Sequence, residues 1–271
     1  MIKVLIASDG MNFSEGAFEF AKQLNNCEPI LLIATFLPKI NFDTLLIQSA
    51  DLAPNQSYDK RTNDLMQDCI HKFELLYKKN SIDGHVRSGN GESPMSILRT
   101  ESRYTDLLII GGELFYENYR NDKPSGYLED ILHDSKCPVI VVPETYTFPS
   151  NNIIAFDGSA SSVYALKQFA YLLPHLAKNQ TMLINTNSKQ NEELSDKIQI
   201  EELVMAHYPN FTTVPISFDI SKYFSIWAAE QKAPILIAGS FGRSDISEMF
   251  KKSFAADILK DHWVPLFIAH H

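Results

Sequence analysis

The fold is decided by a stretch that occurs twice, first as Lys3-Val-Leu-Ile-Ala-Ser-Asp9-Gly10 and again as Asn152-Ile-Ile-Ala-Phe-Asp157-Gly158-Ser159. Each copy is an apolar run that ends in an Asp-Gly pair and is followed by an amphipathic segment. Such a repeat indicates two similar structural units, because each copy specifies the same local structure. The two copies therefore predict a strand, a turn and a helix at the start of each half of the chain.

Two further apolar runs also occur twice, and in the same order. Asp106-Leu-Leu-Ile-Ile-Gly111 returns as Pro234-Ile-Leu-Ile-Ala-Gly239, and Cys137-Pro-Val-Ile-Val-Val returns as Val264-Pro-Leu-Phe-Ile-Ala. These runs are continuously apolar, which is typical of parallel strands that are covered on both faces. Because helix-length segments separate them, each half is predicted to be a five-stranded, parallel α/β domain.

The predicted elements alternate along each half. Strands are expected near 2–8, 29–35, 83–88, 106–110 and 138–142, and again near 152–156, 180–185, 212–218, 234–238 and 264–268. Helices are expected near 14–25, 58–79, 93–102 and 125–134, and again near 161–176, 191–206, 220–230 and 245–259. A loop is expected at 38–58. Pro149, Ser150 and two asparagines mark the seam between the halves, so the predicted domains are 1–147 and 148–271.

Composition excludes several classes of protein. Apolar residues make up 45% and charged residues 21% of the 271 residues, as in ordinary globular proteins. The apolar runs are strand-sized and fall short of the ~18 residues that a membrane-spanning helix needs. The formal charge of -9 disfavours binding to nucleic acid or to an anionic membrane.

Cellular location and metal binding are predicted from the start of the chain, the cysteines and the histidines. The chain starts directly with a predicted strand and without a signal-peptide pattern, so a cytoplasmic protein is expected. Cys27, Cys69 and Cys137 match no zinc or redox spacing and are expected to be reduced, packed thiols. The histidines do not cluster with carboxylates, so no metal site is nominated.

Polar residues follow the strands at the edge where open parallel sheets bind their ligands. Asp9-Gly10 and Asp157-Gly158 come directly after the first strand of each half. One interpretation is a turn, in which the aspartate caps the next helix and glycine permits the unusual dihedral angles. The other is a carboxylate that accepts hydrogen bonds from a sugar hydroxyl or a base amine. The two interpretations are compatible.

A candidate phosphate site follows the fourth strand of the second half. The stretch Gly239-Ser-Phe-Gly242-Arg243-Ser244 precedes a predicted helix that carries Lys251, Lys252 and Ser253. Two glycines this close let backbone N–H groups approach an anion, and a helix start adds a positive dipole end. Three basic side chains outnumber two acidic ones over this segment of an acidic chain. The competing interpretation is a solvated basic helix face.

The corresponding stretch of the first half differs in both glycine content and charge. Gly111 is kept, but the position of the second glycine is Leu114. Three acidic residues outnumber two basic ones between Gly111 and Lys123. We therefore expect the first-half site to be degenerate.

The whole pattern resembles the universal stress protein family, and in particular its tandem members with two domains in one chain. Nucleotide-binding members carry Gly, two residues, Gly, nine residues, then Gly and Ser or Thr. The second half matches with Gly239, Gly242 and Ser253, and Lys252 replaces the third glycine. In the first half only Gly111 and Ser125 remain.

The resemblance implies a fold and a set of roles. The fold is two Rossmann-like, adenine nucleotide alpha hydrolase-like domains that pack through their last strands as an internal pseudo-dimer. Seven residues receive roles in binding a nucleotide. By resemblance, Asp157 contacts the nucleoside, Ala238 and Gly239 approach the ribose and phosphates, and Gly242 and Ser253 bind phosphate. Arg243 and Lys252 are added for their positive charge, and Lys252 stands where the family has its third glycine.

The expected function is regulatory. The second domain is expected to bind ATP or another adenine nucleotide without significant turnover, with Mg²⁺ present only if the nucleotide carries it. The alternative is a scaffold of the same fold that binds no nucleotide and contacts a protein partner or another copy of the chain. An α/β enzyme is disfavoured because the sequence contains no nucleophile elbow, Walker A motif, complete Gly-x-Gly-x-x-Gly or His-Glu-x-x-His.

Overall fold

A computed structural model describes residues 1–8, 13–37, 56–87, 94–112, 131–185, 197–213, 227, 230–239 and 264–269, and only the backbone of 56–63, 94 and 197. The described strands are β1 (Ile2–Ser8), β2 (Ile30–Phe36), β3 (Asp83–Arg87), β4 (Leu107–Gly111), β5 (Val139–Val142), β6 (Asn151–Phe156), β7 (Gln180–Asn185), β8 (Phe211–Thr213), β9 (Pro234–Gly239) and β10 (Leu266–Ala269). The described helices are α1 (Glu15–Cys27), α2 (Gln56–Lys79), α3 (Pro94–Ser102), α4 (Ala160–Leu172), α5 (Pro174–Ala177) and α6 (Lys197–His207). Residues 131–134 are also helical.

The ten described strands belong to one sheet, in the order β3-β2-β1-β4-β5-β10-β9-β6-β7-β8. The strands of each half are parallel, and the two halves meet where β5 and β10 pair in antiparallel fashion. In this antiparallel pair of strands Ile140 lies opposite Phe267. The predicted fold of two parallel repeats that pack through their last strands is confirmed. The domain limits 1–147 and 148–271 stay a prediction.

The sheet is covered on both faces, which explains why its strands are continuously apolar. Within β1, Val4 and Ile6 belong to the core on the side of α1 and α2, whereas Leu5 and Ala7 belong to the core on the side of α3. The first of these cores also contains residues of α4 and α6 together with both β5 and β10. Apolar packing is therefore continuous from one repeat to the other.

Two predicted elements need correction, and three predicted helices lie wholly or mostly outside the described residues. The helix predicted at 161–176 is two helices, because Pro174 disfavours a helical conformation at Leu173, whose φ and ψ are -128° and 58°. Residues 56–58, predicted as loop, belong to α2. The helix predicted at 245–259, and most of those at 125–134 and 220–230, fall outside the described residues. No described helix combines the length and apolarity needed to cross a membrane.

Candidate functional site

The topology creates one crevice in each repeat, where the chain turns to opposite sides of a central strand. These points lie between β1 and β4 in the first repeat and between β6 and β9 in the second. In the second crevice Ala155 pairs with Ala238, so Asp157 and Gly239 leave neighbouring strands at the same edge of the sheet. Three of the predicted site residues, Asp157, Ala238 and Gly239, are thus brought together.

The remaining four predicted site residues are Gly242, Arg243, Lys252 and Ser253, and they lie outside the described residues. Their roles stay a prediction from the sequence. The same holds for Asp9, Leu114 and Ser125 of the first repeat.

Asp157 makes the turn that the sequence predicts. Its Oδ1 accepts a hydrogen bond from the backbone N–H of Ser159 at 2.9 Å. Gly158 has a φ of +83°, a conformation that favours glycine. Within the described part of the chain, Oδ2 of Asp157 has no hydrogen-bond partner. The turn therefore leaves one carboxylate oxygen, on a partly exposed side chain, to accept a bond from a ligand.

Helix α4 starts immediately after this turn. Its N-cap is Ser159, whose Oγ accepts a hydrogen bond from the N–H of Ser162 at 3.1 Å. Among the described residues, the N–H groups of Ala160 and Ser161 have no partner. Free first-turn amides and the helix dipole together favour an anion at this position.

Ala238 and Gly239 are held by packing. The Ala238 side chain is buried, so only its backbone is available to a ligand. A Cβ added at Gly239 would lie 2.5 Å from the backbone N of Ser162 and 2.5 Å from the backbone C of Ser161. Glycine is therefore required here for the end of β9 to approach the first turn of α4, whether or not a nucleotide binds.

Gly111 has a related role in the first repeat. A Cβ added there would lie 2.3 Å from Oγ of Ser14, the N-cap of α1. Both fourth strands thus end on a glycine that packs against the start of a helix. Ser14 of the first repeat corresponds to Ser162 of the second, and α4 has an additional turn before this point.

The start of α1 differs from that of α4 because a carboxylate already binds it. Oε2 of Glu144 accepts a hydrogen bond from the N–H of Gly16 at 2.9 Å, and Oε1 accepts one from the Oγ–H of Ser14. Ser14 Oγ in turn accepts a bond from the N–H of Ala17 at 3.1 Å. Glu144 was not predicted as a functional residue, although the sequences after the last strands of the two repeats differ. An acid follows the last strand of the first repeat, whereas His271 occupies that position in the second.

A small cavity lies away from these crevices. It is lined by the ends of α1 and α4, by α5, and by Ile2 and Ile30 at the starts of their strands. Its volume of about 20 Å³ holds roughly one water molecule, which is too small for a nucleotide. In the described part of the chain no group of three or more His, Cys, Asp or Glu side chains is placed to hold a metal.

Two of the three cysteines are packed in the interior, as predicted, and the third is not. Cys69 and Cys137 are buried, and burial raises the pKa of the Cys137 thiol to about 11. Cys27 is exposed, so the expectation of a packed thiol there is wrong. The reason is its position as the last residue of α1, where the helix leaves the core.

Comparisons with known proteins support the fold. No protein-family model matches the chain, and no curated protein matches it in sequence. A functionally unknown protein from Pseudomonas aeruginosa PAO1 is similar over 100% of this chain and 92% of its own, with a TM-score of 0.52 and 13% identity. A universal stress protein in complex with cAMP matches 53% of this chain and 98% of its own, with a TM-score of 0.27 and 17% identity.

The full-length similarity and the strand order agree with each other. The strand order gives two repeats in one mostly parallel sheet, and the similarity to the Pseudomonas protein extends over both of them. The chain therefore has the tandem, Rossmann-like fold that its resemblance to the universal stress protein family implies.

Proposed function

We propose that this chain is a regulatory protein of the universal stress type and that its second repeat binds an adenine nucleotide such as ATP. The observation that carries the proposal is Oδ2 of Asp157, which has no hydrogen-bond partner among the described residues and lies at the crevice between β6 and β9, next to the start of α4. A carboxylate oxygen accepts hydrogen bonds from ribose hydroxyls or from the adenine amine. The free amides of α4 suit the anionic part of the same ligand.

The described groups fit the nucleoside end of such a ligand. Asp157 keeps one oxygen for the turn and offers the other, so binding does not require the turn to be rebuilt. The phosphate end is assigned from the sequence to Gly242, Arg243, Lys252 and Ser253. Mg²⁺ would enter only with the nucleotide, where it would neutralise phosphate charge.

One nucleotide is proposed per chain. In the first repeat the start of α1, which corresponds to Ser162 one turn inside α4, already binds the carboxylate of Glu144, and a second anion there would be repelled. The sequence also lacks the second glycine at Leu114 and has an acidic excess around it. The two arguments are independent and point to the same asymmetry.

Bound ATP is proposed to be hydrolysed negligibly. Phosphoryl transfer needs a group that orients the attacking water and holds the metal. The carboxylates nominated near the glycine loop are Asp157, assigned to the nucleoside, and Asp245, which is more simply the cap of the next predicted helix. Turnover of about 1 to 1,000 per second that Asp245→Asn abolishes would contradict this.

Calorimetry and thermal shift test nucleotide binding with a matched pair of variants. Asp157→Asn keeps the oxygen that accepts the Ser159 N–H but loses the charge, so we expect a folded protein with at least tenfold weaker ATP binding. Asp9→Asn makes the same change in the other repeat and should leave binding unchanged. At 100 times the dissociation constant, ATP should stabilise the wild type by about 2.7 kcal/mol.

Three results would contradict the proposal. One is a wild type that binds none of ATP, ADP, AMP and cyclic AMP, and it would leave the scaffold role with a protein partner or a second copy. The second is two equivalent sites per chain. The third is full binding by Gly242→Glu, which introduces a carboxylate where phosphate is expected.

A further inference from the structure

The connector between the repeats, residues 143–150, follows the surface of α1. Its side chains alternate, with Glu144, Tyr146 and Phe148 partly buried and Thr145 and Thr147 exposed. This pattern is that of an extended segment with one face against a neighbour. The connector is therefore packed as part of the first repeat.

The connector binds both polar groups of one helical residue. Glu144 accepts the N–H of Gly16 at 2.9 Å, and the phenol of Tyr146 donates to the C=O of Gly16 at 3.1 Å. Burial raises the pKa of the Tyr146 phenol, and the nearby carboxylates of Glu19 and Glu144 raise it further, so the phenol stays a donor. A Cβ at Gly16 would lie 2.3 Å from the carbonyl oxygen of Pro143, so glycine permits this close approach.

Aromatic packing continues the contact along α1. The ring of Phe20, one turn after Gly16, lies 5.9 Å from the ring of Tyr146 and 5.2 Å from that of Phe148. These separations are typical of favourable ring pairs. Glu144 is thus held in place by neighbours on both sides of it in the chain.

The far end of the connector is bound to the second repeat. The side-chain amide of Asn179 donates to the carbonyl oxygen of Pro149 at 3.2 Å. The backbone N–H of Ser150 donates to the carbonyl oxygen of Ala233 at 2.9 Å. The segment that positions Glu144 is therefore fixed at both ends.

We infer that Glu144 is an internal ligand of the first repeat, and that its carboxylate closes the start of α1 to anions from solution. It takes the Oγ–H of Ser14 and the N–H of Gly16, and it lies beside Gly111, where an added Cβ would be 3.0 Å from Oε1. These are the groups that would otherwise meet an anion at this crevice. The closure does not depend on nucleotide binding in the second repeat.

The amide of Gly16 reports on this contact directly. Glu15-Gly16 is the one Glu-Gly pair in the sequence, so carbonyl-¹³C glutamate with ¹⁵N glycine selects the Gly16 amide alone. Its hydrogen-exchange rate and its response to inorganic phosphate are measured in the wild type, Glu144→Ala and Glu144→Gln. Glu15→Gln is the control, because it removes an exposed charge from the same helical turn; carbonyl-¹³C glutamine selects its Gly16 amide.

We expect exchange at Gly16 to accelerate at least about tenfold in Glu144→Ala, since a hydrogen bond to a charged group is lost. Phosphate should shift the Gly16 signal saturably in that variant and leave the wild type and Glu15→Gln unchanged. Glu144→Gln keeps the shape and one acceptor oxygen, so it stays folded and shows smaller changes of both kinds.

Each of three results would overturn the inference. They are a wild-type Gly16 signal that responds to phosphate as strongly as that of Glu144→Ala, exchange that does not change in either variant, and faster exchange without any response to phosphate. The last would make Glu144 a structural contact only. ATP binding at the second repeat does not enter this readout, so failure of the proposed function would be seen separately.

Discussion

The first helices of the two repeats follow similar strands but start in different ways. Helix α4 begins directly after Asp157-Gly158 and is capped by its own Ser159. Helix α1 is capped by Ser14 and also by the carboxylate of Glu144, which lies 130 residues further along the chain. Among the described residues the first amides of α4 have no partner, whereas an internal carboxylate already binds an amide in the first turn of α1. The two repeats therefore share a fold but present different groups to an anion.

Alanine substitution of the glycine that ends each fourth strand gives the largest expected difference in stability loss between the repeats. Gly239→Ala places a methyl group 2.5 Å from backbone atoms of α4, which cannot move separately from the helix. Gly111→Ala meets side-chain atoms of Ser14, Oγ at 2.3 Å and Cβ at 2.8 Å, which can move only if Oγ gives up its bonds to Ala17 and Glu144. We expect losses in the free energy of unfolding of about 3 kcal/mol for Gly239→Ala and about 2 kcal/mol for Gly111→Ala, measured by urea denaturation. Equal losses would show that the two packing contacts are equivalent.

Gly16→Ala tests the close approach of the connector to α1. The added methyl group would lie 2.3 Å from the carbonyl oxygen of Pro143, so the connector must shift. Alanine favours the helix by about 1 kcal/mol, which offsets part of the cost. We expect a net loss of about 2 kcal/mol in urea denaturation. A variant more stable than the wild type would mean that the connector does not lie against α1 in solution.

The two caps give a smaller difference. Ser14→Ala removes the acceptor of the Ala17 N–H and a donor to Glu144 from a buried position, and we expect a loss of about 1.5 kcal/mol. Ser159→Ala removes the acceptor of the Ser162 N–H at a partly exposed position, for which half that loss is expected. Thermal unfolding of both variants measures the two losses of stability. A larger loss for Ser159→Ala would reverse the comparison.

Tyr146→Phe gives the smallest effect and separates the phenol from the carboxylate. The ring contact with Phe20 is kept, and the bond to the carbonyl oxygen of Gly16 is lost. We expect a loss of about 0.5 kcal/mol in the free energy of unfolding, since one hydrogen bond between uncharged groups is removed. Exchange at the Gly16 amide should change less than in Glu144→Ala. If Gly16 exchange changed as much in Tyr146→Phe as in Glu144→Ala, the phenol and not the carboxylate would be the group that protects the start of α1.

The strands were predictable from the sequence because strands that are buried on both faces consist of continuous apolar runs. Apolar runs such as the one from Leu107 to Gly111 are continuous, and each occurs twice, so one copy supports the other. The Asp-Gly turn was also predictable, since Gly158 adopts a conformation that few other residues tolerate. Pro174 is also a helix-breaking signal in the sequence, but the apolar pattern that continues across it predicts a single helix at 161–176.

The contact of Glu144 was not predictable in the same way. Hydrogen bonds between Glu144 and the start of α1 join residues 128 and 130 positions apart, and no periodic pattern records such a pair. Gly239 was predicted to bind a ligand because it matches the glycine motif of the family. Its packing against Ser161 was not predictable, because it depends on where α4 lies over the sheet. Exposure of Cys27 likewise depends on where α1 leaves the core.

The antiparallel seam between β5 and β10 joins two different strands of one chain. In a dimer of identical subunits the strand at the axis pairs with a copy of itself, so every substitution in that strand changes both sides of the pair at once. Here Phe267 lies opposite Ile140, and a large ring is matched with a smaller side chain. One half can therefore change its sequence while the other compensates. Since both strands share one polypeptide, their pairing is also independent of protein concentration and survives dilution that would separate a dimer.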